Sequence, residues 1–286
     1  MARVWRQPLA PQVVFSRRAG VVMNLITSRD NPLVKELRRL SQDSTAYRKT
    51  GRVWLEGDHL CRALLTRGLV PDQAVFAQSA WDNTPTQLTQ AAPKNTVLPD
   101  ALFREISGLE SASTMGFVWT ISSSIQTEST HNIQQGVPTV FLDQIQDAGN
   151  VGSILRSASA FGFTQVLARK GTAALWSPKV LRAAMGAHFG LNLVEGVEPE
   201  QLADLQIAWL STSSHQGPFL HTLGAKNVLP SLCGWIFGHE GQGVSPEAAQ
   251  LASMTVRIAQ PGGEESLNVA SAAAICMHAS ATGGRA

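Results

Sequence analysis

FLDQIQDAGNVGSILRSASAFGF, residues 141–163, is the stretch on which the reading of this chain turns. It begins at the end of an apolar run, residues 138–142 (PTVFL), which predicts a short buried strand. A loop with Asp143 and Asp147 follows, then a Gly-Asn-x-Gly step at 149–152, then a helix predicted over 150–161. Asn150 and Gly152 suit a tight turn, and the free N–H groups at a helix start can hold a phosphate or a carboxylate. Arg156 lies six residues after Asn150, nearly two turns into the helix. Taken alone, these residues also describe an ordinary capped helix with a surface arginine.

Working outward, the pattern continues to alternate. Strands are predicted at 164–169, 207–211, 233–237 and 255–259, with helices at 178–186 and 267–281. Short apolar strands separated by helices predict an α/β domain whose parallel sheet is covered on both faces. In such sheets ligands sit beyond the carboxyl ends of the strands. Two more loops fall there. WIFGHEGQGVSPE, residues 235–247, runs a strand into Gly238, Glu240, Gly241 and Gly243. Its glycines admit close approach of backbone to a ligand, and a plain glycine-rich turn is the alternative. His239-Glu240 is not a zinc motif, because HExxH needs a histidine where Gly243 stands. VRIAQPGGEESLNVASAAAICMHA, residues 256–279, ends a strand at Ile258, bends at Pro-Gly-Gly, and starts a small-residue helix at Ser266, Leu267 and Asn268. Ser266 as a plain N-cap is the alternative there.

Upstream, residues 28–42 predict a helix capped by Asp30 or Asn31, with Pro32 at its first position. Leu33, Leu37 and Leu40 share one face; Lys35, Arg38 and Arg39 lie on the other side. Strands at 52–56, 72–77 and 115–122 and helices at 58–67 and 100–106 complete a small α/β unit over 24–123. The polar segment 124–136 is the predicted linker, and 137–286 the second domain. Residues 1–22 carry four arginines and no acid; they are read as a disordered arm, or as the product of an upstream start codon. They have the charge of a transit peptide but little serine and no amphipathic period.

Of the 286 residues 44% are hydrophobic and 15% charged, a globular composition. No apolar run reaches the ~18 residues of a membrane span. Cys61, Cys233 and Cys276 are scattered, without a CxxC pair, which predicts neither disulfides nor zinc and suits a reducing cytoplasm. The net charge of +2 is uneven: residues 1–55 hold eleven Lys or Arg against three Asp or Glu, and the other 231 hold twelve against eighteen. A +8 segment on a −6 body suits a polyanion, with a membrane surface or a merely solvated basic helix as alternatives.

The three loops, in this order, resemble the three motifs of the SpoU–TrmH branch of the SPOUT RNA ribose 2′-O-methyltransferases. The matching residues are Asp143, Asp147, Asn150, Gly152 and Arg156; then Phe237, Gly238, Glu240, Gly241 and Gly243; then Pro261-Gly262-Gly263 and Glu265 to Val269. Residues 28–40 and 53–65 more loosely resemble the opening of that family's ribosomal-protein-L30e-like substrate domain. The resemblance implies a parallel sheet with a deep trefoil knot, S-adenosylmethionine as cofactor, structured RNA as substrate (rRNA ahead of tRNA), no metal, and a homodimer with the site near its interface. It implies cofactor contacts at Gly238, Ile258 and Leu267, largely through backbone, with Thr212 and Ser213 as further lining. It marks Arg156, Asn150, Glu240, Ser266 and Asn268 as the functional polar set. Arg156 would hold the adjacent phosphate and stabilise the forming alkoxide, since a guanidinium stays protonated. Asn150 would fix Arg156 or the ribose, Glu240 would orient Asn150 or Arg156, and Ser266 and Asn268 would shape the knot and hydroxyl pocket. Loop bracing is the alternative for the last three. Ala148, Ala259-Gln260 and Glu264 depart from the usual Pro, Pro-Met and apolar residue. A non-catalytic RNA-binding protein of the same fold is the competing function. A dinucleotide enzyme is disfavoured, because no strand–GxGxxG–helix unit is present.

Overall fold

The computed structural model describes residues 17–18, 21–109, 111, 113–121, 132–225, 228–262 and 266–283. Most of the proposed linker, and residues 1–16 of the proposed arm, lie outside these. The chain divides into two compact units, one of residues 1–42 and 52–120 and the other of 43–51 and 121–286. The sequence reading drew one boundary, near 124; the short segment 43–51 instead belongs with the second unit.

The first unit is a six-stranded mixed sheet. Its strands are β1 (Arg17–Arg18), β2 (Val21–Leu25), β3 (Arg52–Glu56), β4 (Gln73–Ala77), β5 (Asn95–Leu98) and β6 (Met115–Thr120), in spatial order β1-β2-β5-β4-β6-β3. Regular structure thus reaches back into the segment read as a disordered arm. Helix α1 (Pro32–Gln42) starts as predicted, with the Asn31 side chain accepting from Leu33 N at 2.9 Å. Its buried face is Val34, Leu37 and Leu40; Leu33 is only half-buried. After α2 (Ala46–Thr50) come α3 (Asp58–Thr66), α4 (Gln78–Trp81), α5 (Thr86–Thr89) and α6 (Asp100–Ile106). β5 is absent from the sequence reading because two of its four residues are polar. All four are nevertheless buried, and Gln73 Nε2 donates to Thr96 Oγ1 at 2.7 Å.

The second unit has six strands, all parallel: β7 (Thr139–Asp143), β8 (Gln165–Ala168), β9 (Asn192–Glu195), β10 (Ala208–Thr212), β11 (Cys233–Gly238) and β12 (Met254–Val256). Their spatial order is β12-β10-β11-β7-β8-β9. The chain therefore runs outward from β7 through β8 and β9, then returns to build β10, β11 and β12 on the other side. The strand order reverses between β7 and β11, where an open parallel sheet leaves a crevice at its carboxyl edge. One face packs Phe141, Leu167, Val194, Trp209 and Ile236 into a common core. Trp235 and Phe237 are fully buried, each worth roughly 2–3 kcal/mol. Trp235 Nε1 donates to Ser280 Oγ at 2.9 Å, tying β11 to α11 (Val269–Thr282).

Helix α7 (Ala148–Ala160) packs against both α8 (Pro178–Ala184) and α11. Gly152 makes the first contact possible: a Cβ there would stand 2.4 Å from Ala183 Cβ and 2.9 Å from Val180 O. The predicted role of Gly152 in a tight turn is thus corrected, since it lies inside the helix and serves helix packing. Short helices α9 (Leu220–Ala225) and α10 (Pro246–Ala249) follow β10 and β11. Strand β12 is shorter than predicted. Arg257 leaves the ladder and exchanges backbone bonds with Pro218 O and Leu220 N, so Ile258 lies past the strand end.

Candidate active site

Three of the singled-out side chains meet at the crevice between β7 and β11. Glu240, just past β11, accepts from Asn150 Nδ2 at 3.0 Å and from the backbone N–H groups of Asp147 (3.2 Å) and Gln146 (3.3 Å). Asn150 Oδ1 accepts from Asn268 Nδ2 at 2.9 Å. Asn268 caps α11, its Oδ1 accepting from Ala270 N and Ser271 N at 2.9 and 3.2 Å. One hydrogen-bonded chain therefore joins all three motif loops.

Its polarity is set from both ends. A carboxylate only accepts, so Asn150 must turn its NH₂ to Glu240 and its oxygen to Asn268. The helix amides only donate, so Asn268 must give them its oxygen and turn its NH₂ to Asn150. Each amide keeps one N–H for something else. Partial burial pushes the Glu240 carboxyl up, but the hydrogen bonds from Asn150 and the backbone outweigh it and hold its pKa below the usual carboxylate value. Of the two partners anticipated for Glu240, Asn150 is the one it holds.

The remaining expected residues are placed differently. Arg156 sits on α7 about 9 Å along the axis and roughly 240° around from Asn150; it is exposed and makes no hydrogen bond or ion pair with any described residue. Ser266 is exposed, likewise has no hydrogen-bond partner among the described residues, and does not cap the helix, a position taken by Asn268 two residues later. At the start of α7, Asp147 Oδ1 accepts from Asn150 N at 2.7 Å, and Glu240 takes the amides of Gln146 and Asp147 just before the helix. Ser213 uses its hydroxyl within its own loop, accepting from His215 N and Gln216 N.

The expected cofactor contacts are spread along this edge. Gly238 ends β11, and Ile258 lies just beyond β12. Gly238 is required where it stands, because a Cβ would meet the Gly243 carbonyl at 2.2 Å. Between Ile258 and Asn268 the chain must pass from the β12 edge back to α7. The strand order puts β12 three strands from β7, about 14 Å away. On the segment, Leu267 is 38% exposed, and Gln260 Oε1 is buried without a partner. A buried unpaired acceptor is unfavourable. Here it suits an adenine amino group or a ribose hydroxyl lying against half-buried Ile258, so these residues fit S-adenosylmethionine. Among the described residues no cluster of three metal-ligating side chains occurs, and no helix is long and apolar enough to cross a membrane.

Sequence reasoning missed a second cluster beside this one. Asp143, 1% exposed, accepts from Arg169 Nη1 at 3.1 Å and from Ser245 N at 2.7 Å. Arg169 also donates to Ser245 Oγ (2.9 Å) and to Glu198 (3.0 Å). Asp143 was visible as a loop carboxylate; its partner 26 residues away carried no local signal.

Residues 138–278 match the family model of the SpoU rRNA Methylase family. Over 268 residues the chain is 29% identical to an uncharacterized tRNA/rRNA methyltransferase of Synechocystis, covering 88% of this chain and 92% of that one. It is 27% identical to the 23S rRNA (guanosine(2553)-2′-O)-methyltransferase of Bacillus subtilis, covering 90% and 98%. Human mitochondrial rRNA methyltransferase 3 is 32% identical over 174 residues, 57% of this chain, but the match spans only 41% of that longer protein. Among solved structures, a TrmH-family RNA methyltransferase from Porphyromonas gingivalis superposes with a TM-score of 0.70 at 27% identity, covering 86% and 95%. An rRNA methyltransferase from Sinorhizobium meliloti, solved with S-adenosylmethionine bound, gives 0.72 at 21%, covering 90% and 97%.

Proposed function

This chain belongs to the SpoU rRNA methylase family, and on that premise we propose that it transfers a methyl group from S-adenosylmethionine to a ribose 2′-hydroxyl of ribosomal RNA. The observation that carries the reading is the Glu240–Asn150–Asn268 chain at the strand-order reversal. Such an arrangement holds two amide N–H donors still, beside a segment suited to the cofactor. The relative from Bacillus subtilis, named for 2′-O transfer to 23S rRNA, supports the substrate class.

When bound, S-adenosylmethionine supplies a methyl already activated by its sulfonium charge. Backbone at Gly238, Ile258 and Leu267 would hold it, with Gln260 Oε1 as an added acceptor. The weak step is the nucleophile, because a ribose hydroxyl is a poor acid. The spare N–H groups of Asn150 and Asn268 are donors of the kind that stabilise a forming alkoxide. Glu240 keeps those amides in orientation. Arg156 neutralises the neighbouring phosphate.

Arg156 has no partner in its own chain among the described residues, and α11 presents Ile275 42% exposed. Both features suit a homodimer in which the arginine faces a site at the interface; light scattering of the full chain tests it. The return of the chain from the β12 edge to Asn268 beside Asn150 suits the trefoil knot. The three cysteines, all unpaired and buried, suit a reducing cytoplasm.

The test is incubation of the full chain with methyl-labelled cofactor and unmodified rRNA or tRNA, with label mapped by resistance of the adjacent phosphodiester to alkali. We expect label on an rRNA ribose and a drop of about 100-fold in kcat/KM for Arg156→Ala. Label on tRNA alone moves the substrate class; no label on either RNA refutes methyl transfer.

A further inference from the structure

A second recess opens on the same unit, away from the Asn150 cluster. It has a volume of about 370 Å³ and is lined by Arg48, Arg169, Lys170, Thr172, Glu195 and Glu198. That volume is within the ~300–1,000 Å³ of small-ligand sites. Its walls are the segments just past β8 and β9. Both strands are parallel to β7, so the recess lies at the carboxyl edge that also carries Asn150. Neighbouring strands are about 4.8 Å apart, which puts it some 5–10 Å across the edge from the end of β7. A single nucleotide step covers such a distance.

The charges in the lining are not all neutralised. Glu195 accepts from the Tyr47 hydroxyl at 2.6 and 2.7 Å and from Leu175 N at 2.7 Å, and pairs with Arg48 at 3.3 Å. Arg169 is engaged by Asp143, Glu198 and Glu247. Lys170 is exposed and has no acidic partner among the described residues. Arg48 is held in place by Glu195 and by the Tyr47 ring 5.7 Å below its guanidinium carbon. It meets Glu195 through Nε and Nη2. Three cations and two carboxylates line the recess, two further carboxylates, Asp143 and Glu247, sit on Arg169, and of the three cations Lys170 is the one without an acidic partner among the described residues. The segment 43–51, which departs from the unit that flanks it in sequence, delivers Arg48 to this recess.

We propose that this recess is a second RNA subsite, in which Lys170 and Arg48 grip the phosphate of a nucleotide neighbouring the methylated one. Glu198, at the rim, accepts from that nucleotide's ribose hydroxyl or base amine. The inference rests on the RNA reading above and extends it from the reacting ribose to the strand beside it.

The experiment compares Lys170→Glu with Lys179→Glu, an equal charge change at an exposed site on α8 outside the recess. Binding of domain-length unmodified rRNA transcripts is followed by anisotropy against salt, with S-adenosylhomocysteine titration and methyl transfer in parallel. Lys170→Glu is expected to raise Kd and KM for RNA about tenfold and to lower the slope of log Kd against log salt by about one. Its kcat and its affinity for S-adenosylhomocysteine stay as in the parent, and Lys179→Glu changes RNA binding less than twofold. Unchanged RNA binding by Lys170→Glu overturns the proposal, as does an equal loss from Lys179→Glu. Adenosine monophosphate binding to the recess as tightly as RNA also overturns it, in favour of a small-anion site. RNA binding with the expected salt signature but no methyl transfer keeps the subsite and removes the proposed activity; transfer with unaltered KM in Lys170→Glu does the reverse.

Discussion

Two polar clusters tie the end of β7 to the loop after β11, and they are built to opposite specifications. In the first, Asp143 is buried, one oxygen facing Arg169 and the other Ser245 N. In the second, Glu240 and Asn268 are exposed and Asn150 is half-buried, and two amide N–H groups are left over. Both draw on the same two loops. In the buried cluster both Asp143 oxygens are engaged, so Asp143 can hold the loops together but offers a ligand nothing. The exposed cluster holds less, because water competes for each bond, yet it offers donors in a fixed orientation. The comparison separates what carries stability from what carries chemistry within a few residues of chain.

The largest expected effect breaks the buried side. Asp143→Ala leaves Ser245 N without its acceptor and Arg169 with Glu198, Glu247 and Ser245 Oγ alone, and should lower unfolding free energy by about 3 kcal/mol in urea melts. A loss under 1 kcal/mol would equate the two clusters.

Next comes His188, fully buried, with Nε2 on Leu175 O at 2.8 Å and Nδ1 unpartnered. Burial pushes its pKa down to about 4. A depressed histidine binds fewer protons folded than unfolded. Its stability contribution is therefore present above the unfolded value near 6.5 and lost as pH falls towards 4, on the order of 3 kcal/mol in all. Stability measured from pH 7 to 4 should fall less steeply in His188→Gln; an unaltered slope would show that another group sets it.

The exposed side should respond in the other observable. Asn150→Ala is expected to change stability by about 1 kcal/mol or less but to reduce kcat/KM about 100-fold. Glu240 has a lowered pKa, so its charge persists below the usual carboxylate range and is lost only as pH falls through its folded value. The pH–rate profile between 6 and 8 should therefore be insensitive to Glu240→Gln in shape, though lower in height. The smallest effect is expected from Gln260→Met. Removing the unpaired buried acceptor should raise stability of the unliganded chain by about 1 kcal/mol and weaken S-adenosylhomocysteine several-fold by calorimetry. A stability gain without any loss of affinity would make Gln260 a mere packing defect.

Much of this was legible from residue order. Strands β7, β8, β10 and β11 and helices α7 and α11 fall within two residues of their predicted bounds, because apolar periodicity is local. β9 was not, since a four-residue strand carries too short a period. The glycine of the first motif was legible as a special position, yet its reason was misread: the neighbour that forbids a side chain at Gly152 is on α8, some 30 residues on.

By itself the sequence determined most elements of the second unit, their parallel class and the identity of three polar loops, all of which depend on near neighbours in the chain. Strand order did not follow, and with it went the site. Only the tertiary structure decided that β11 lies beside β7, so that Glu240 meets Asn150 across 90 residues and Asn268 meets it across 118. It also left Arg156 and Ser266 outside that cluster. The physical reason is that a hydrogen bond needs two groups within about 3 Å, and no pattern along one segment records which distant segment will supply the second.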